Sequence, residues 1–203
     1  RDDITDWVPV STADDKETYF SRVSTAGLQD RMAEALLKTC IQYGPIACND
    51  PANYEARANL MWTSSLAING LLSLGKGTPW SVHSMEHELS AYFDITHGVG
   101  LAILTPAWMR YVLDDSSVDK FAEYAFNVWN IPMSDDRYAM AREAIDRTQQ
   151  FFTKELKIAA ALREVGITED KLEIMAEKAA RTLGSAYKPL GKEDVLAIYR
   201  ACF

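Results

Sequence analysis

Apolar positions recur along almost the whole chain at spacings of three and four, the period of helix faces packed on a core. From Ala26 to Tyr43 the residues Leu28, Met32, Ala35, Leu36, Thr39 and Cys40 form one such stripe, and Gly44-Pro45 supplies a stop signal behind it. Asp50-Pro51 offers a side-chain cap followed by proline at a first helical position, so a helix is expected from about Ala52 to Leu74. Its stretch from Leu60-Met61-Trp62 to Leu71-Leu72 is apolar nearly all round, which predicts a place at the centre of a bundle. A loop from Gly75 to Pro79 leads to a helix over about Trp80 to Tyr92, then to a loop carrying His97-Gly98. An apolar helix from Val99 to Leu113 follows, with Pro106 inside it, where the missing backbone donor predicts a kink.

Asp114 to Ser117 reads as a turn and cap, and further helices are expected at about 117–130, 134–155, 168–183 and 191–202. Ser134, Thr168 and Gly191 stand near three of their starts, and Gly166 and Gly184 near two ends. Upstream, Ser11 or Thr12 is placed to cap a short helix ending near Phe20. Residues 1–14 carry no period and are read as an irregular segment ahead of a helical domain spanning 15–203. Strand alternation, fixed-period repeats and low-complexity runs are missing from the pattern. The expected fold class is therefore all-α, an irregular multi-helix bundle in which short loops make neighbouring helices antiparallel. Trp62, Trp80, Trp108 and Trp129 are read as core residues.

Composition narrows the function classes. The 203 residues are 48% apolar and 25% charged, the proportions of an ordinary globular domain. A net charge of −8 argues against a nucleic-acid partner and against docking on an anionic membrane. No run of about eighteen apolar residues predicts a membrane span. Cys40, Cys48 and Cys202 form no CxxC pair and read as free thiols in a reducing cytosol, so a cytoplasmic protein is expected. The start, Arg1 to Asp6, is acidic, has no signal-peptide apolar core and reads as cut or trimmed from something longer.

Chemistry concentrates in one segment. All three histidines, His83, His87 and His97, fall within fifteen residues, from Trp80 through His97-Gly98. His83 and His87 are four apart, so one helix face presents both imidazoles, and a short loop can fold His97 back over that face. Imidazole is the commonest side-chain ligand of first-row divalent metals, although helical histidine pairs are often plain surface residues. A zinc-peptidase motif needs glutamate directly after the first histidine; Ser84 occupies that place, and Glu86 is read as facing elsewhere. Gly98-Val99-Gly100 follows no strand and so does not read as a phosphate loop, and Ser81, Ser84 and Ser90 sit in no nucleophile elbow.

The stretch from His83 to Leu113, with Glu88-Leu89-Ser90-Ala91-Tyr92-Phe93-Asp94-Ile95-Thr96-His97-Gly98-Val99-Gly100-Leu101-Ala102-Ile103-Leu104-Thr105-Pro106 at its centre, resembles the signature of iron-containing alcohol dehydrogenases, most closely their butanol dehydrogenase branch. The likeness extends upstream through Gln29 to Glu34 and Asn53 to Trp62, and downstream through Lys192 to Ile198, over about residues 15–203. It implies the helical domain of that family, of the dehydroquinate synthase-like type, without the α/β dinucleotide-binding domain that precedes it. It also implies a metal, usually Fe(II), held by two late histidines that match His83 and His97, with His87 beside the nicotinamide and substrate as a catalytic rather than metal-ligating residue. Aligning the family's Glu-x-Tyr-Phe on Glu17-Thr18-Tyr19-Phe20 puts Val10 at the position of an aspartate ligand and Asp14 at that of a histidine ligand. Asp14 is thus a candidate third ligand in an incomplete site for Fe(II) or Zn(II).

NAD(P) is expected of the family but not bound by this chain alone, which is therefore expected to lack dehydrogenase activity by itself. The alternatives are an active half completed by a separate nucleotide-binding chain, and a homodimeric binding or scaffold module.

Overall fold

The computed structural model describes residues 27–73 and 80–203. Eight α-helices are found among them, and no strand: α1 Gly27–Asn49, α2 Tyr54–Ile68, α3 Ser81–Phe93, α4 His97–Val112, α5 Val118–Asn127, α6 Arg137–Gln150, α7 Leu172–Ala180 and α8 Lys192–Ala201. No helix among the described residues is long and apolar enough to cross a membrane. Residues 1–14, the short helix ending near Phe20 and the loop Gly75 to Pro79 lie outside the described residues.

The most buried helix is α4, in which twelve of sixteen residues are buried. It is therefore the centre of the bundle, with α3, α6 and α8 packed around it. Leu101, Leu104, Trp108, Met109 and Val112 from α4 belong to one large apolar cluster with Phe121 and Tyr124 of α5, Ile145 of α6, Met175 of α7 and Ile198 of α8. Pro106 sits inside α4 without ending it. A second, smaller cluster joins Cys40 and Ala47 of α1 to Leu60 of α2, Ala102 of α4 and the aromatic pair Phe151 and Phe152.

Two sequence expectations give way to packing. Gly44-Pro45 does not stop α1, which runs on to Asn49 with Pro45 inside it. Ala47, two residues beyond Pro45, is fully buried in the second cluster, so the helix continues along a packed face past the missing donor. The helix expected from Ala52 to Leu74 is shorter and is not central. Its cap is Asn53, whose side chain accepts from the Ala56 N–H, while the Asp50 carboxylate accepts from Ala52 N. It ends at Ile68, just before Gly70 takes a left-handed φ of 86°. Trp62 is 70% exposed, and Tyr54, Met61 and Ile68 are exposed with it. An all-round apolar sequence signals burial only where neighbours exist for every face, and among the described residues the buried side of this helix is that of Ala56, Leu60, Thr63, Ser64 and Ala67.

The later helices follow the expected pattern with trimmed ends. Asp136, rather than Ser134, caps α6 by accepting from Ala139 N at 2.8 Å. The helix then widens into a single π-turn over Phe151–Glu155, which turns Phe151 and Phe152 into the second cluster. The segment expected to start at Thr168 opens with a short 3₁₀ turn, Glu169–Lys171, before α7. Gly166, at φ 84°, closes the preceding 3₁₀ turn.

The tryptophans separate the two pictures of the core. Trp108→Ala removes a side chain only 1% exposed and is expected to cost about 3–5 kcal/mol. Trp62→Ala is expected to change the stability of this chain by less than about 0.5 kcal/mol. Urea unfolding of both variants, read at the transition midpoint with an unchanged slope, checks the pair; equal losses would return Trp62 to the core.

Candidate metal centre

The site is built where α3 turns into α4. Asp94 ends α3 in a left-handed conformation, φ 50°, with its N–H bonded to the Ser90 carbonyl. Aspartate tolerates this region better than most side chains. Only Asp94, Ile95 and Thr96 separate the two helices, so His97, expected in a loop, stands instead as the first residue of α4. The reversal lays α4 against α3 and returns His97 to the face that carries His83 and His87. Two contacts hold α3 from its other sides. The buried Tyr199 hydroxyl of α8 donates to the Met85 carbonyl at 2.7 Å, and the Thr182 and Ser84 hydroxyls are 3.0 Å apart.

The three imidazoles converge. Ring centres are 5.1 Å apart for His83 and His97, 5.4 Å for His87 and His97, and 6.0 Å for His83 and His87. His87 and His97 stack at 24°, whereas the His83 ring meets that of His87 nearly edge-on at 82°. Trp80 lies against His83 with ring centres 4.6 Å apart; it is 36% exposed, a wall of the site rather than a core residue. Exposure rises across the group, from buried His83 through half-buried His97 to exposed His87. Desolvation lowers the His87 pKa from its usual value, the nearby His97 lowers it further, and Glu86 opposes the shift.

Glu86 does not face elsewhere. Three residues after His83 on the helix, it lies on the same flank and is fully buried. One carboxylate oxygen, Oε2, contacts His97 Nδ1, and the other, Oε1, contacts the Ser90 hydroxyl. Ligand atoms of Glu86, His87 and His97 all lie within 4.8 Å of one another, a grouping that could hold a metal ion. Of the residues expected at the site, His83, His87 and His97 are thus brought together, and Asp14 lies outside the described residues. Sequence reasoning missed Glu86, although a carboxylate flanked by His83, His87 and Ser90 on a helix with an apolar opposite face was a readable signal. The donor set, imidazoles with a carboxylate, suits Fe(II) or Zn(II).

Comparison with known proteins identifies the family. Residues 16–203 match the profile of the Fe-containing alcohol dehydrogenase family, C-terminal. The chain is 57% identical over 190 residues to NADH-dependent butanol dehydrogenase A of Clostridium acetobutylicum, covering 92% of this chain and 49% of that protein. It is 37% identical over 163 residues to the NADPH-dependent aldehyde reductase YqhD of Escherichia coli, covering 80% of this chain and 41% of that protein. Among solved structures, the NADH-dependent butanol dehydrogenase A of Thermotoga maritima superposes with a TM-score of 0.88 at 26% identity, over 98% of this chain and 51% of that one. The chain spans about half the length of the curated relatives it matches. It belongs to the Fe-containing alcohol dehydrogenase family, as that family's helical C-terminal part.

Proposed function

We propose that this chain is the metal-holding helical half of an NAD(P)-dependent alcohol or aldehyde oxidoreductase, and that hydride transfer requires a nucleotide-binding half in addition to these residues. The observation that carries the reading is the convergence of His83, His87 and His97 at the α3–α4 turn. His83 and His97 would hold Fe(II) or Zn(II), with Asp14 as the carboxylate ligand. When bound, such an ion supplies Lewis-acid polarisation of an alcohol or carbonyl oxygen, while hydride belongs to the nicotinamide. The chain's own residues bind and orient. Buried His83, backed by Trp80, excludes water from one side. Exposed His87, whose pKa its surroundings lower, can accept or give a proton at a ring nitrogen toward substrate.

By itself the chain is proposed to be inactive, because positioning of the two reactants supplies much of such a rate and one of them would have no seat. The exposed apolar stripe of α2, with Tyr54, Met61, Trp62 and Ile68, fits a chain that works against further protein surface.

Elemental analysis of protein purified without oxygen is expected to find close to one iron or zinc per chain, lost in a His83→Ala, His97→Ala double variant. Absence of metal even after reconstitution with Fe(II) or Zn(II) would sink the reading. Alone, the chain is expected to leave NADH unconsumed with butyraldehyde. Joined in one polypeptide behind the preceding half of the Clostridium acetobutylicum relative, it is expected to consume it. In that fusion His87→Asn should keep the metal and lower turnover by about 10²–10⁴-fold, the range for a lost general acid or base. Metal loss on that substitution would make His87 a ligand instead.

A further inference from the structure

We propose that Glu86 is the positioning residue of the metal centre: it fixes the tautomer and orientation of His97, in a space that Gly100 leaves open for it. This rests on the metal-centre reading above and names the group on which the His97 ligand depends.

Glu86 is a carboxylate with no exposed surface, and an ionised group in that position persists only where its oxygens are satisfied. Both are engaged: Oε2 on His97 Nδ1, and Oε1 on the Ser90 hydroxyl, which also lies 3.2 Å from the Ile95 carbonyl. A carboxylate only accepts, so His97 Nδ1 carries the proton and donates. In a neutral imidazole the lone pair then resides on Nε2, the nitrogen that would bind a metal. A carboxylate behind a ligating histidine is the arrangement that orients the ring and raises its basicity. The close grouping of Glu86 with His87 and His97 would also suit direct ligation. That role is the weaker one, because the oxygen nearest His97 is spent on its Nδ1 and the other on Ser90.

The backbone opposite is shaped for the same purpose. Gly100, three residues into α4 from His97, faces the Glu86 side chain. A Cβ built there would stand 2.7 Å from Glu86 Cγ, 2.9 Å from Oε1 and 3.1 Å from Ile95 Cδ1. None of these can give way freely, since Glu86 is buried and Ile95 lies in the three-residue turn. Glycine within a helix costs up to about 1 kcal/mol against alanine, and here it leaves the space in which the carboxylate passes under His97.

The test uses isotope-labelled protein, with Co(II) as the metal probe. In the apo protein, ¹⁵N chemical shifts at a pH where the histidines are neutral are expected to show His97 as the Nδ1–H tautomer. Glu86→Ala is expected to abolish that preference and to weaken Co(II) binding by about 10–100-fold, the usual cost of losing such a partner. Glu86→Gln keeps the volume; its carbonyl oxygen can still accept from Nδ1–H, and its amide can donate to Ser90, which turns to accept. It is expected to retain the tautomer and to bind Co(II) within a few-fold of wild type. Gly100→Ala, which displaces Glu86 without removing it, should weaken Co(II) binding and shift the tautomer ratio in the direction of Glu86→Ala. An unchanged tautomer and unchanged affinity in Glu86→Ala would overturn the proposal. So would loss of Co(II) in Glu86→Gln with the His97 tautomer intact, which would make Glu86 a ligand. If wild type itself takes up no Co(II), the metal-centre reading fails, while the apo tautomer still decides whether Glu86 positions His97.

Discussion

A buried carboxylate constrains everything around the α3–α4 turn. Glu86 can remain inside only if its partners stay within hydrogen-bonding reach. Its partners are Ser90, on the same helix, and His97, across the turn. The turn must therefore be short and its geometry fixed, as the left-handed Asp94 and three-residue link make it. Helix α4 must also approach closely enough for His97 to reach, which Gly100 permits. The interaction also has a favourable electrostatic setting: His97 opens α4, and the partial positive charge at the N-terminal end of a helix dipole stabilises a carboxylate beside it.

The rest of the bundle serves to hold this pair of helices still. Helix α4 is buried on nearly all faces, so it has little freedom to rotate or slide. Helix α3 is clasped by α4 on one side and by α7 on another, and the Tyr199 hydroxyl of α8 binds its Met85 carbonyl. The histidines consequently sit on rigid elements rather than on loops, which is what a metal site needs if its ligands are to keep their geometry. The rising exposure from His83 to His87 gives the cluster a closed back and an open front.

The helical fold was legible because its signal is repetitive: stripes at spacings of three and four, with turn residues between them, located most helices to within a few residues. What was not legible depended on partners that sequence does not display. Pro45 carries a strong local stop signal, yet Ala47 beyond it packs into the second cluster and carries α1 onward. Trp62 lies in an apolar run that reads as core, yet among the described residues the buried side of α2 is the one carrying Ala56, Leu60 and Ala67, and Trp62 is exposed. The histidines were legible as a group, since three in fifteen residues on helical spacing is a local pattern. Glu86 was legible only in part: its place on α3 beside His83, His87 and Ser90 is a local pattern, but its partner His97, eleven residues on, reaches it only through the turn.

Two histidines four residues apart and a third ten residues later are all supplied by a single helix–turn–helix unit, whose geometry is set by α3, α4 and the helices packed on them. Nothing in that local arrangement draws on a nucleotide-binding fold. A nicotinamide, by contrast, must be held with its reactive carbon a few ångströms from the substrate, a placement that needs surface on the open side of the cluster, beyond exposed His87. On the proposed reading, holding a metal and transferring hydride would therefore be separable. The first would rest on contacts such as those among Ser90, Glu86 and His97, and the second on what faces them.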